Sequence, residues 1–205
     1  TLIANTAGVT INSTGGLTFR GSVNSSNQYV GVNAANLTWL QADAAAVAAG
    51  GYLATITSRL ENSVAALAGK YNTAWIGGRR LSNGTWRWER GPEAGQTFTY
   101  SNWASGEPNN CCTYQTNGLG YGGENATQFT GSNGNWNDLF DNSSTLNNYI
   151  RETTINSAPL TINAGTGAVT FSSSVGNSKE ISTLTITAGT LSASSLKTTS
   201  AVKFD

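Results

Sequence analysis

A group of oxygen-bearing side chains lies between residues 106 and 138. The run Gly106-Glu107-Pro108-Asn109 is followed by Glu124 and then by Trp136-Asn137-Asp138. Three carboxylates and two amides suit a hard cation of high coordination number, above all Ca²⁺. The chain has no histidine and only two cysteines, so it offers little for a soft transition-metal site. The pattern therefore predicts a calcium site that can also bind something else.

Composition narrows the possible partners. The 205 residues carry no net charge and only 11% are charged, which argues against nucleic acid, since nucleic acid binders need a basic patch. No apolar run is long enough to span a bilayer, so we predict no membrane insertion. The abundance of Gly, Ser, Thr and Asn is typical of extracellular β-rich proteins. We expect an extracellular or cell-surface protein.

A short repeat brackets the predicted metal site. Three copies of an apolar-Thr-apolar pattern begin at Val9, Leu160 and Leu184. The second and third copies are 24 residues apart and the first two are 151 apart, an excess of about 127 residues. Repeats of this length are typical of solenoids, and alternation with period two predicts short strands. The repeat therefore predicts an inserted domain inside a β-rich array.

We predict three segments: residues 1–28 and 154–205 as β-repeats, and 29–153 as the insertion. The flanks resemble repeats of bacterial surface adhesins of the filamentous-haemagglutinin kind, which implies an all-β solenoid. Ordinary strands of a β-sandwich are the alternative. Because the chain starts and stops within repeat-like sequence, we expect it to be a segment of a longer protein.

The insertion has its own pattern of elements. An Ala-rich helix is predicted over about 36–49, with Asn36 or Thr38 as its cap. A second helix is predicted over about 59–69, where Ser58 and Glu61 form a capping-box signature. Further motifs are Trp75-Ile76-Gly77-Gly78, Trp86-Arg87-Trp88 and the closing run Tyr149-Ile150-Arg151-Glu152. With the Glu-Pro-Asn and Trp-Asn-Asp motifs, residues 29–153 resemble the C-type lectin domain.

This resemblance implies an α+β C-type lectin fold with two helices, antiparallel sheets and a long loop region. Its first and last strands would lie side by side, which suits insertion into another fold. It also implies one Ca²⁺ ion as cofactor and a cis peptide bond before Pro108. The implied calcium ligands are Glu107, Asn109, Glu124, Asn137 and Asp138, of which the first four would also bind carbohydrate. The Glu-Pro-Asn order resembles that of lectins for mannose-, glucose- and fucose-type sugars.

The sequence departs from the family in two respects. Ala46, Ala126 and Arg151 stand where family members commonly have cysteines, so the core must hold by packing, and the six tryptophans are predicted to be core residues. The auxiliary calcium site of some relatives is broken, since uncharged or basic residues replace its acids. These replacements are Asn110, Asn125, Arg79 and Asn83.

The loop between Asn109 and Glu124 is long and unusual. It holds the adjacent Cys111 and Cys112 together with Tyr114 and Tyr121. One hypothesis is a vicinal disulfide that, with a tyrosine, forms a carbohydrate subsite beside the calcium, because aromatic rings pack on sugars. The alternative is a flexible loop with two free thiols.

Three functions remain open. The leading one is a calcium-dependent carbohydrate-binding module of a secreted or cell-surface adhesin, with glycans on a host or neighbouring cell as partners. The alternative is a lectin-fold module that binds protein, in which calcium only orders the loops. A structural spacer is the third. We predict no enzyme, because no nucleophile and base pair stands out.

Overall fold

The computed structural model describes residues 2–4, 9–19, 23–25, 27–131, 133–154, 158–176 and 181–205. Parts of both predicted repeat segments, including residues 5–8, 20–22, 155–157 and 177–180, lie outside these ranges. The chain divides into two compact units. The central unit is Tyr29–Thr153, and the flanking unit is Thr1–Gln28 together with Thr154–Asp205.

The described residues form sixteen strands and two helices. The helices are α1 (Trp39–Ala48) and α2 (Arg59–Ala68). The strands are β1 (Leu2–Ala4), β2 (Val9–Asn12), β3 (Leu17–Phe19), β4 (Val23–Ser25), β5 (Gln28–Asn33), β6 (Tyr52–Leu53), β7 (Thr73–Arg80), β8 (Trp86–Trp88), β9 (Ala126–Thr130), β10 (Trp136–Leu139), β11 (Asn148–Thr153), β12 (Ala158–Asn163), β13 (Ala168–Phe171), β14 (Ile181–Thr187), β15 (Thr190–Ala193) and β16 (Thr198–Phe204). No helix among them combines the length and apolar character needed to cross a bilayer.

Both predicted helices are present, and capping sets their first turns. Thr38 caps α1 in a full capping box with Gln41, whereas Asn36 lies outside the helix with a positive φ of 58°. The helix therefore begins three residues later than predicted. Ser58 caps α2 by accepting a hydrogen bond from the Glu61 amide. The Glu61 side chain accepts from the amide of Thr57 instead of completing the box with Ser58.

A seven-stranded sheet organises the central unit, with the order β10-β9-β7-β11-β5 and with β6 and β8 paired to β11 and β7. The first and last strands, β5 and β11, are neighbours, as the resemblance predicts. Most pairs are antiparallel, but β11 and β7 run parallel, so the sheet is mixed. The glycines of β7 permit close packing, because a Cβ at Gly77 would lie 2.5 Å from the Leu53 carbonyl oxygen.

Tryptophans fill much of the core of the central unit. Trp39, Trp75, Trp88 and Trp136 are each at most 1% exposed, which confirms their predicted core role. Trp86 and Trp103 are only half-buried and pack against each other with ring centroids 5.0 Å apart. A buried large aromatic contributes several kcal/mol, about 3–5 on truncation to alanine. Aromatic packing therefore stabilises this unit.

The flanking unit is built from short parallel strands. One sheet has the order β16-β14-β12-β2 and another the order β15-β13-β3. The repeat copies pair in the register that the sequence alignment predicts, with Leu160 opposite both Val9 and Leu184. The apolar side chains of the second and third copies enter one core, where Leu160, Ile162, Leu184 and Ile186 are fully buried, and Ile11 of the first copy packs against it.

Candidate calcium site

The Glu-Pro-Asn segment is a loop held close to β10. The Glu107–Pro108 peptide bond is cis, as predicted. The Glu107 amide donates to the carbonyl of Ala104 at 3.0 Å, and the Ala104 amide donates to the carbonyl of Trp136 at 2.8 Å. The segment therefore lies beside the strand that carries Asn137 and Asp138.

Strand alternation places the Asp138 carboxylate inside the loop. Along β10, Trp136 and Asp138 are buried, whereas Asn137 is half-buried. The Asp138 carboxylate accepts hydrogen bonds from the backbone amides of Asn109 at 3.1 Å and Asn110 at 2.9 Å. It therefore joins β10 to the residues directly after Pro108.

The other predicted ligands meet at the same place. Glu107 accepts hydrogen bonds from the backbone amide and the side-chain amide of Asn109, both at 3.0 Å. The amide of Cys111 lies 3.0 Å from a Glu124 carboxylate oxygen and 2.7 Å from the Asn109 side-chain oxygen. Asn137 donates to the backbone carbonyl of Asp138. All five predicted residues are thus linked by hydrogen bonds through residues 109–111 and β10.

Both glutamates of the set have a raised pKa. Burial raises the pKa of Glu124 from its ordinary value to about 7, and the charges of Asp138 and Glu107 contribute to the rise. Burial also raises the pKa of Glu107, and a hydrogen bond with Asp138 adds to it. Negative charges in a partly dry site repel unless a cation or a proton intervenes.

A bound divalent cation would therefore relieve the repulsion within this donor set. Three carboxylates and the amide oxygens of two asparagines can supply a shell of the kind calcium takes. Among the described residues, no three His, Cys, Asp or Glu side chains are arranged so that they could by themselves hold a metal ion.

The long loop beside the site begins with a disulfide between adjacent residues. Cys111 and Cys112 form a disulfide, so the structure contains the vicinal bond and not two free thiols. Tyr114 is 83% exposed. Tyr121 is half-buried, its hydroxyl donates to the Arg80 carbonyl, and its ring lies under the Arg80 guanidinium. Tyr114 is therefore free to meet a ligand, whereas Tyr121 is held within the loop.

Basic and amide side chains occupy the positions at which the sequence predicted no auxiliary calcium site. Arg79 forms a buried ion pair with Asp141, and Asn125 accepts from the Asp141 amide at 3.0 Å. Asn110 accepts from Arg80 at 2.6 Å, whereas Asn83 serves a surface turn.

Sequence reasoning missed Arg80, Asn117 and Asp141 in this region. The adjacent arginines were the one available signal for these contacts. Two consecutive charges at the end of a buried strand need partners elsewhere in the fold.

Comparison with known proteins identifies the family. The family model described as the lectin C-type domain matches residues 35–150. The chain belongs to the C-type lectin domain family. Family members are generally binding domains without catalytic activity, and they generally bind Ca²⁺.

Curated relatives of this C-type lectin share only part of their length with it. Halomucin of Haloquadratum walsbyi is 31% identical over 155 residues, which are 67% of this chain and 2% of halomucin. The galactose-specific lectin nattectin of Thalassophryne nattereri is 33% identical over 79 residues, 36% of this chain and 47% of nattectin. The chain thus spans less than half the length of each.

A solved structure is also similar to the lectin. It is the C-type carbohydrate-recognition domain of cow CD23 in the presence of a GlcNAc2Man3 oligosaccharide. The TM-score is 0.49 at 30% sequence identity, and the match covers 63% of this chain and 88% of that chain.

Proposed function

We propose that the central unit is a calcium-dependent carbohydrate-binding module. The observation that carries this proposal is that the amides of Asn109 and Cys111 donate hydrogen bonds to Glu107, Asp138 and Glu124, and that the pKa of Glu124 is raised to about 7. An arrangement that disfavours its own charges is costly unless a ligand uses it. The ligands proposed for the ion are Glu107, Asn109, Glu124, Asn137 and Asp138.

The same residues explain recognition of a sugar. Bound Ca²⁺ supplies open coordination positions that two vicinal hydroxyls can fill. Each hydroxyl can donate its proton to Glu107 or Glu124 and accept a hydrogen bond from the amide of Asn109 or Asn137. Binding then depends on the geometry of the hydroxyl pair. The Glu-Pro-Asn order supports mannose-, glucose- or fucose-type sugars, whereas nattectin is named for galactose.

A second contact with the glycan is proposed in the neighbouring loop. The Cys111 amide contacts both Asn109 and Glu124, so the Cys111–Cys112 disulfide lies directly beside the proposed ligands. Tyr114 projects its ring into solvent from the turn closed by the Cys112 carbonyl and the Gln115 amide at 2.8 Å. An apolar disulfide and an aromatic ring can cover the apolar face of a sugar. Tyr121 supports this subsite by holding the loop.

The flanking unit is proposed to present the lectin. Its parallel, in-register repeats support a β-solenoid in which residues 1–28 and 154–205 are interrupted by the domain at 29–153. Together these features support a secreted or cell-surface adhesin whose partners are glycans on a host or neighbouring cell.

Glycan binding with and without a chelator tests the proposal. We expect the protein to bind mannose-, N-acetylglucosamine- or fucose-bearing probes in calcium and to release them in chelator. Asn109→Asp should weaken this binding at least tenfold, because it replaces the amide donor with a carboxylate oxygen that can only accept, whereas Asn72→Asp in an exposed loop should not. Preference for galactose would refute the sugar class. Sugar binding that persists in chelator would refute the mechanism, and calcium binding without any glycan binding would favour the protein-binding module.

A further inference from the structure

Two consecutive arginines end β7 beneath the long loop. Arg79 is 5% exposed and Arg80 is 8% exposed. Buried guanidinium groups are costly unless their donors are paired. Because neighbouring residues of a strand point to opposite faces, the two side chains reach different parts of the loop.

Arg80 joins the two ends of the loop. Its Nε donates to the Glu124 carbonyl at 2.8 Å, and its terminal nitrogen donates to the Asn110 side chain at 2.6 Å and the Gly122 carbonyl at 3.1 Å. The Tyr121 ring lies 5.6 Å from the guanidinium. All three hydrogen-bond acceptors are uncharged oxygens. Carbonyl oxygens of this kind also coordinate metal ions in proteins.

Arg79 fixes the middle of the loop through Asp141. The carboxylate of Asp141 is fully buried, pairs with Arg79 and accepts the Gly118 amide at 2.6 Å. A Cβ at Gly118 would lie 2.8 Å from a carboxylate oxygen of Asp141, so this contact requires glycine. Arg79 also lies 4.8 Å from the centroid of the Trp39 ring, which anchors it to α1.

The loop also binds itself around Asn117. This buried side chain accepts from the amide of Leu119 at 3.0 Å and donates to the Gly123 carbonyl at 2.9 Å. The amide of Asn117 donates to the Tyr121 carbonyl at 3.0 Å. The loop therefore has a defined internal structure built from its own hydrogen bonds.

We infer that Arg79 and Arg80 are positioning residues that act as the internal cations of this loop. They hold residues 110–124 in the binding conformation without a second calcium ion, and Arg80 sets Glu124 and Asn110 in place beside the calcium site. Because the Asp141 carboxylate is already paired with Arg79, its charge is not available to hold a second calcium ion. The protein should therefore bind one calcium ion, and chelator should leave the loop ordered.

Hydrogen–deuterium exchange in chelator tests this inference directly. Peptides covering residues 110–123 should be protected in the metal-free protein. Arg80→Ala should accelerate their exchange at least tenfold while leaving α1 and α2 protected. Arg59→Gln, which removes an exposed arginine from the start of α2, should have no such effect. An unprotected loop in the metal-free wild type, or an unchanged loop in Arg80→Ala, would overturn the inference.

Chemical rescue tests whether the charge of Arg80 matters or only the volume of its side chain. Guanidinium at ~10 mM, far below denaturing concentrations, should restore protection to the Arg80→Ala loop, whereas neutral urea of the same shape should not. Equal effects of the two additives would overturn the role of the charge. If Arg80→Ala does not fold, Arg80→Lys and Arg80→Gln provide the same comparison, because lysine retains the charge with fewer hydrogen bonds and glutamine removes it. Equal protection of the loop in these two variants would count against the inference.

Calcium titration gives the last readout and is the only one that rests on the proposed function. Calorimetry should show one ion per chain, and Arg80→Ala should weaken calcium binding at least tenfold. Two ions per chain would overturn the inference. A loop that is protected in chelator in a protein that binds no sugar would instead refute the proposed function alone.

Discussion

Glu124 offers a test of the proposed calcium site that needs no calcium. The residue is 7% exposed, and its carboxylate accepts a hydrogen bond from the Cys111 amide. Burial, followed by the charges of Asp138 and Glu107, raises its pKa from 4.5 to about 7. In the metal-free protein an ionised Glu124 therefore opposes folding. We predict that Glu124→Gln stabilises the metal-free central unit at alkaline pH.

The pKa difference sets the size and the sign of this effect. Because the folded pKa exceeds the unfolded one, the stability associated with Glu124 is fully present below pH 4.5 and is lost as the pH rises through about 7. Integration gives a cost of about 3 kcal/mol at pH 8 and below about 1 kcal/mol at pH 5. Glutamine keeps an acceptor for the Cys111 amide without the charge. The variant should thus gain about 3 kcal/mol at pH 8, roughly 10 °C in Tm for a domain of this size.

Tryptophan fluorescence can follow this unfolding selectively, because all six tryptophans lie in the central unit. Urea denaturation in chelator at pH 5 and pH 8 would compare wild type, Glu124→Gln and Glu89→Gln. Glu89 forms a partly exposed ion pair with Arg87, so its variant should change stability by less than about 1 kcal/mol at either pH. A Glu124→Gln protein that is less stable than wild type at pH 8, or that gains equally at both pH values, would refute the reasoning.

Three further outcomes are expected. Calcium affinity should fall about 30-fold between pH 8 and pH 5.5, since Glu124 must be ionised to bind the ion; a flat calorimetric profile would contradict this. Mass spectrometry should find no thiol labelling of Cys111 and Cys112 before reduction, and two labelled thiols would argue against the disulfide. Trp136→Ala should lower the free energy of unfolding by about 4 kcal/mol, whereas Tyr114→Ala should change it by under about 0.5 kcal/mol; similar losses in urea denaturation would contradict the assigned burial.

Local signals in the sequence predicted much of the fold. Thr38 and Ser58 mark the starts of both helices, because a side-chain acceptor satisfies the first free amides of a helix. The similar stretches that begin at Val9, Leu160 and Leu184 predicted a β-rich repeat array, and the structure pairs Leu160 with both Val9 and Leu184. Such features depend on a few neighbouring residues or on exact repetition, and both can be recognised in the sequence.

Other features depend on contacts between distant residues and could not be predicted. Nothing local shows that Asp141 pairs with Arg79, 62 residues earlier, or that Arg80 joins Asn110 to Glu124. Tyr114 and Tyr121 were indistinguishable in the sequence, yet one is exposed and the other is packed under Arg80. The parallel pairing of β7 with β11 was likewise not predicted.

The sequence by itself determined which kind of ligand was predicted for the chain. Three carboxylates and two amides around a proline, in a chain without histidine, predict a hard cation from residue types alone. Only the tertiary structure decided how those groups affect one another, because the rise in the pKa of Glu124 depends on its burial and on Asp138 and Glu107, which lie near it only in the folded chain. The partners of Arg79 and Arg80 in the loop were likewise decided only by the fold, because a buried charge pairs with the groups that surround it in the folded chain.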